Sequence, residues 1–400
     1  MMPFRTFSIH IPGCTGDGYS ATSRAAARVL KTLLTLTLAA LPAFAAFPNG
    51  YTYCKVVTTQ HTMVSGNTDL ANYPLTVILT DADLKTTGNG GLVNNVSGYD
   101  IAFYPDCSGS GSALKWELES YSPTSGAIVA HVLRPTLSHT TDDTIGIFYG
   151  GGYTSFQSTA SAVWNANYKG VWHFTSLTAD SIGANDLTNT SVSAATGMVG
   201  GAASYNGTSS KSLNTSATGI PNTFPITVEM WMQPITQPAT GQAGYQFSFS
   251  KYGGTSSGIF SSALSATPLQ NLYYFQNGSA RTTAIGLFPN AVWHHVVFVF
   301  ESVSVVKFYR DGVLTTIAQP SGSSVFGAAQ VLFGGLDLST TPTYGLYYNG
   351  LIDEARISNI SRSADWILTE YRNQSTSAAY VSAGPRIASG GGGIRHSVRN

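Results

Sequence analysis

From residue 51 to residue 152 the chain alternates short apolar runs with polar turns. The clearest runs are Leu75-Thr76-Val77-Ile78-Leu79, Lys115-Trp116-Glu117-Leu118-Glu119, Ile128 to Leu133 and Thr144 to Tyr149. No helical period of useful length interrupts them, so this region predicts strands. Residues 150 to 166 are rich in Gly, Ser, Thr and Ala and mark a boundary. A second β-rich region follows, from Lys169 to about Tyr380. Its clearest strand is Ile226 to Gln233, where Ile226, Val228, Met230 and Met232 alternate with Thr227, Glu229, Trp231 and Gln233. That period predicts one buried apolar face and one polar face carrying a single aromatic. Further on, Asp311-Gly312 separates apolar runs, as type I′ hairpins require, because both central residues need positive φ. One helix is predicted, Ala364 to Arg372, with Ser363 as N-cap and Asp365 near the positive end of the helix dipole. The residues after Tyr380, with Gly390 to Gly393 among them, predict a flexible tail.

Composition agrees with an all-β chain: 42 Gly, 17 Pro, 21 Tyr and 19 Phe in 400 residues, of which 43% are hydrophobic. That length exceeds one ordinary core, so two domains or one large β domain with additions are expected. Charged residues make up only 10%, with 20 basic against 20 acidic, so no net field draws nucleic acid or anionic lipid to the surface. A nucleic-acid partner is not expected. Arg24, Arg28 and Lys31 lead into a mostly apolar run from Leu33 to Leu41 that ends at Ala43-Phe44-Ala45, which reads as a secretory signal peptide with an unusually long leader. The run is too short to span a membrane, which needs about 20 apolar residues. The expected organisation is a leader over 1–45, a β module over 46–152, a linker over 153–168, a second β domain over 169–380 and the tail over 381–400.

Loss of the leader removes Cys14 and leaves Cys54 and Cys107 in a disulfide-permissive compartment. One bridge between them is the natural reading, with two free buried thiols as the alternative. On the chain-entropy model a loop of that size contributes about 4 kcal/mol.

Several segments of the second region resemble the laminin-G-like, concanavalin A-like jelly-roll family of secreted proteins. They are Gly170-Val171-Trp172-His173-Phe174, Trp293-His294-His295-Val296, Tyr309-Arg310-Asp311-Gly312 and Gly350-Leu351-Ile352-Asp353-Glu354-Ala355-Arg356-Ile357 with the helix behind it. The first region resembles the bacterial domain of unknown function 2341, through Tyr73-Pro74-Leu75, Gly98 to Phe103, Glu117 to Tyr121 and Ile147 to Gly150. The two resemblances imply an all-β, bacterial, exported protein. Its N-terminal β-sandwich-like module would precede a concanavalin A-like jelly roll with one short C-terminal helix.

The same scaffold serves lectins, hydrolases and adhesion modules, so chemistry has to be read from residues. A retaining glycosidase needs two carboxylates about 5 Å apart, which related hydrolases place on alternate residues of one strand as Glu-x-Asp-x-x-Glu or Glu-x-Asp-x-Glu. No such string occurs. Glu117 and Glu119 come nearest, and a solvated strand face explains them better; Glu229 is expected to hydrogen-bond a neighbour. Gly254-Thr255-Ser256-Ser257-Gly258 lacks the helix that a nucleophile elbow requires. His294 and His295 point to opposite faces of a strand and cannot chelate one metal. Aromatics near loops could stack on sugar rings or on a protein: Tyr273, Tyr274, Tyr344, Tyr347 and Tyr348, with Trp231 on its strand's polar face.

Asp353 stands out because the two-residue period puts it in an apolar row with Leu351, Ala355 and Ile357. In the resembled fold the matching aspartate often helps hold a structural calcium. Here the resemblance implies Asp353 with Asp180, from the loop 178 to 186, as ligands. A salt bridge or backbone hydrogen bonds without metal are the alternative. The expected function is non-catalytic recognition of a glycan or a surface protein. A divergent carbohydrate-active hydrolase and a structural component of a surface assembly are the competing readings, and ligand identity and oligomeric state stay open.

Overall fold

A computed structural model describes residues 47–390 apart from 215–216, 222, 237–244, 252–259, 267–268, 277–278, 282–287, 303, 319–329 and 338–343. The leader and the Gly254 to Gly258 motif lie outside the described residues. Two sheets form the first module. One has the order Val381–Ala388, Tyr53–Thr59, Asp143–Tyr149, Ile101–Tyr104; the other has Leu70–Thr80, Ala127–Leu137, Trp116–Tyr121. Leu75, Val77, Ile101, Phe103, Trp116, Val132, Ile147 and Tyr149 fill the space between them. Cys54 and Cys107 are bridged, with Cα atoms 5.8 Å apart and a sequence separation of 53.

The outer strand of the first sheet corrects the expected tail. Val381–Ala388 pairs antiparallel with Tyr53–Thr59, from Tyr53 opposite Ala388 to Thr59 opposite Val381. The sequence hides this because Ser382, Arg386 and Ile387 face water at a sheet edge, so no apolar period marks the strand. The boundary segment is packed, as its large aromatics require: Val163, Trp164 and Tyr168 belong to the first module's core, as do Trp366 and Tyr380.

The second region is a sandwich of an eight-stranded and a seven-stranded sheet. In the first, Ile226–Pro234 lies between His294–Ser302 and Asn349–Ser358, and Tyr168–Trp172 pairs with the end of the latter. Ile226, Val228, Met230 and Met232 enter the sandwich core with Trp172, Phe298, Phe300 and Phe333, as their alternation predicts. The hairpin at Asp311-Gly312 has positive φ at both residues, 53° and 77°.

The other face of the Ile226–Pro234 strand is not solvated: Thr227, Glu229 and Trp231 are buried. A helix, Ala364–Ser375, covers it, started by Ser363, whose Oγ accepts from the Trp366 N–H at 3.1 Å. Ile367 of this helix packs on Val297, Val299 and Tyr309. The opposite side of the helix meets the first module. Asn373 exchanges two 2.8 Å hydrogen bonds with the Thr76 backbone, and the Ser65 N–H donates to Thr369 Oγ1. Trp366 stacks edge-on against Tyr73. The helix therefore joins the two sandwiches through a layer that is polar and buried.

Candidate functional site

The site lies in that layer and depends on an irregularity in Asn349–Ser358. Ile352 lies in the jelly-roll core, and so do Ala355 and Ile357, which a regular strand would send to the other face. The change of phase occurs at Glu354, which has φ 48° and sits where the pairing with Ile226–Pro234 slips. This β-bulge sends Asp353, Glu354 and Arg356 out of the sandwich, toward the first module. It also corrects the expectation for Asp353, which shares no face with Ala355 and Ile357.

From the first module come Glu117 and Glu119 on Trp116–Tyr121 and His131 on Ala127–Leu137. His173, just past Tyr168–Trp172, is the centre of the group. Its Nδ1 lies 2.5 Å from Glu354 Oε1 and 3.8 Å from Glu119 Oε2, and its Nε2 lies 3.4 Å from Glu117 Oε2. Each carboxylate has further partners. Glu117 accepts from Trp164 Nε1 at 2.8 Å and Ser181 Oγ at 2.6 Å; Glu119 accepts from Thr175 Oγ1 at 2.6 Å and lies 3.0 Å from His131 Nε2. Glu354 and Glu370 both bind Arg356, whose guanidinium lies over the Trp164 ring. With side chains only 10% and 1% exposed, Glu117 and Glu119 are not the solvated strand face that alternation suggested.

The electrostatics follow from these contacts. Burial disfavours a charged His173, but the Glu354 and Glu117 carboxylates outweigh it and hold the imidazolium well above its ordinary pKa. Burial alone would raise Glu117; the charges of His173 and His131 and the bonds from His173 and Ser181 pull it down to about 2. Glu354 lies well below the carboxylate range because His173 and Arg356 outweigh its burial. Asp353 goes the other way. Burial, then the charges of Glu354 and Glu119, push it well above its usual value, and one N–H, from Val199 at 2.8 Å, offsets only part of this.

Glu119, His131, His173 and Glu354 bring one ligand-type atom each within 4.8 Å of the others. Their ring geometry does not fit a shared metal. The two imidazoles are stacked, with centroids 4.3 Å apart and planes 12° from parallel. An imidazole nitrogen coordinates in its own ring plane, and two stacked planes have no common point within a bond length of both nitrogens. The arrangement fits two stacked imidazole rings held inside a ring of carboxylates.

Asp180 and Asp353, expected as calcium ligands, have other partners. Asp180 caps its own loop, accepting from the N–H groups of Val171, Ile182, Ala184 and Asn185 at 2.9 to 3.2 Å. Those donors point at the oxygens a cation would need. Asp353 instead answers Val199, in a different loop. The expected aromatic surface also changes. Trp231 is buried and donates to Gln374 Oε1 under the helix, and Tyr348 is fully buried in the jelly-roll core, so neither can stack on a ligand. Tyr347 is half-buried; Tyr273 lies on Leu269–Gln276, whose side chains lie outside the description. Glu229, expected to hydrogen-bond a neighbour, has no hydrogen-bond partner among the described residues, and Arg356 lies 3.9 Å away.

On the solvent side, Glu117, Leu118, Glu119, His173, Thr175 and Ser181 line a cleft with about 340 Å³ of open space. It lies at the seam of the two modules. Sequence reasoning missed His131, His173 and Glu354. The available signal was a histidine inside each of two apolar runs, Ile128 to Leu133 and Gly170 to Phe174, where an imidazole requires a buried partner.

Residues 203–368 match the family described as the concanavalin A-like lectin/glucanases superfamily, so this segment is a domain of that superfamily. The first module lies outside the match. No curated protein matches the chain. Among solved structures, domain 4 of a GH43 extracellular arabinanase from Geobacillus stearothermophilus, in complex with arabinotriose, is 20% identical. That likeness covers 51% of this chain and 98% of that one at a TM-score of 0.38. The binding domain of Paraclostridial Mosquitocidal Protein 1 is 11% identical over 54% of this chain and 53% of that one, TM-score 0.41. A Trypanosoma rangeli sialidase with 2,3-difluorosialic acid is 12% identical over 66% and 45%, TM-score 0.42. This chain thus spans about half the length of the latter two.

Proposed function

We propose that the chain is an exported, non-catalytic binding protein that recognises a glycan or a protein at the bacterial cell surface. The observation that carries the reading is the state of the acids beside the cleft. A glycosidase needs one carboxyl whose proton is held at working pH, near a second carboxylate. Glu117 is held at about 2 instead, and both Glu117 and Glu119 already accept from neighbouring side chains. The carboxyls whose pKa burial raises, Asp353 and Glu229, are enclosed where no substrate reaches. The hydroxyls of Thr175, Ser176 and Ser181 that line the cleft suit a hydroxyl-rich ligand that is held without being cleaved.

Export rests on the basic-then-apolar leader and on the Cys54–Cys107 bridge, which belongs to an oxidising compartment. No helix among the described residues is long and apolar enough to cross a membrane. The first module, with its resemblance to domain of unknown function 2341, serves in this reading as a rigid mount for the jelly roll. A glycan-array screen of the chain, with and without calcium, tests the proposal. Saturable hits without release of reducing sugar support it; hydrolysis that Glu117→Gln abolishes would establish the hydrolase instead.

A further inference from the structure

A second buried group, on the helix-covered face of the jelly roll, has unmet chemistry. Glu229 lies on Ile226–Pro234, His295 on the neighbouring His294–Ser302 and Glu370 on the helix above them. One ligand-type atom from each lies within 4.8 Å of the other two, and all three residues are about 2% exposed. Among the described residues, four of their polar atoms have no hydrogen-bond partner: Glu229 Oε1 and Oε2, Glu370 Oε2 and His295 Nδ1.

Carboxylate oxygens only accept, and no hydrogen bond joins the imidazole to either acid. One water donates two hydrogens and leaves at least one of these atoms unserved, whereas a cation serves all of them. Charge points the same way. Glu354 is paired with His173 as well as with Arg356, so Glu229 and Glu370 have between them only the shared Arg356 guanidinium, with Arg362 exerting a weaker pull on Glu229.

We infer that Glu229, His295 and Glu370 form a buried site for one divalent first-row transition cation, such as Zn²⁺ or Co²⁺, that fastens the helix to the jelly-roll sheet. One imidazole nitrogen with carboxylate oxygens is a donor set such ions accept. Metal–ligand bonds of about 2.0–2.2 Å place two ligands up to about 4.2 Å apart, so small rotations of the glutamate carboxylates close the set. Trp231 and Tyr371 lie against His295, with ring centroids 5.1 and 6.4 Å from it, and limit its swing. His295 thus has the function that its neighbour His294, bound to Asp311 at 2.8 Å, does not. The ion acts on structure: the helix it would fasten carries the contacts to the first module.

The test is to unfold the full chain with chelator, refold it with Co²⁺ or Zn²⁺ and measure bound metal, then record X-ray absorption of the loaded protein. One equivalent per chain with a single imidazole in the coordination shell is the expected result. No stoichiometric metal in the folded chain overturns the site. A shell with two imidazoles also overturns it, because it assigns the ion to His131 and His173. Glu370→Gln and His295→Gln should weaken binding by more than about tenfold; a folded variant that keeps its equivalent contradicts the assignment. The absorption data on the unmodified chain decide the matter even where a variant fails to fold.

Discussion

Replacing His173 with Gln removes one positive charge from among three carboxylates and keeps most of the volume. His173 is buried, and Glu354, Glu117 and Glu119 lie 2.5, 3.4 and 3.8 Å from its ring nitrogens. Breaking one partner out of a buried charge pair costs about 3–5 kcal/mol, because the remaining charges stay desolvated and uncompensated. A second route gives a similar figure. Glu117 moves from 4.5 to about 2, worth about 3 kcal/mol at 1.36 kcal/mol per unit, and His173 is the largest favourable contributor. These are two views of one interaction and do not add. The sign with pH follows from each group. Stabilisation through Glu117 is present above pH 4.5 and is lost as pH falls through about 2. Stabilisation through His173 is complete below its ordinary imidazole value and is lost only as pH rises through its raised pKa. In the variant the released carboxylates take up protons in mild acid, so its deficit is greatest near neutral pH and shrinks toward pH 4. Urea unfolding of both proteins at pH 7 and pH 4 measures this. A loss below about 1 kcal/mol at pH 7, or one unchanged at pH 4, would refute the reasoning.

Three further outcomes are expected. Asp353→Asn should be at least as stable as the wild type at pH 7, because Asn needs no retained proton; the raised carboxyl pKa makes wild-type stability fall above about pH 4, so the gap should close toward that pH. Thermal melting of both proteins with and without chelator addresses calcium at Asp353: chelator sensitivity that the Asn variant loses would place calcium at this position. Ending the chain at Tyr380 strips the outer strand from Tyr53–Thr59 and should lower the unfolding midpoint sharply, whereas a flexible tail could be removed without effect. Cys54→Ser with Cys107→Ser should cost about 4 kcal/mol in urea unfolding, from the 53-residue separation the bridge closes.

Much of the fold was legible where one physical signal dominated. Ile226 to Met232 alternated cleanly because one face enters the jelly-roll core, and Asp311-Gly312 could be read because few residue pairs tolerate two positive φ values. The strand Val381–Ala388 was not legible, since an edge strand with exposed side chains has no period. Polar character at Glu117 and Glu119 suggested solvent, because alternation reports that a face is polar and says nothing of what covers it. The cover comes from distant sequence: the helix lies over Glu229, and the jelly roll faces Glu117 and Glu119 with His173. Asp353 was placed on the wrong face by the bulge at Glu354, a single positive φ that reverses the phase of every later residue in the strand.

The central claim is binding without catalysis, and a glycan array read in parallel with a reducing-sugar assay on the same glycans tests it most directly. The account predicts saturable binding to a restricted set of glycans, or to a surface protein captured on the same array, with every bound glycan recovered intact. Cleavage of a bound glycan that disappears in Glu117→Gln and Glu119→Gln would contradict it.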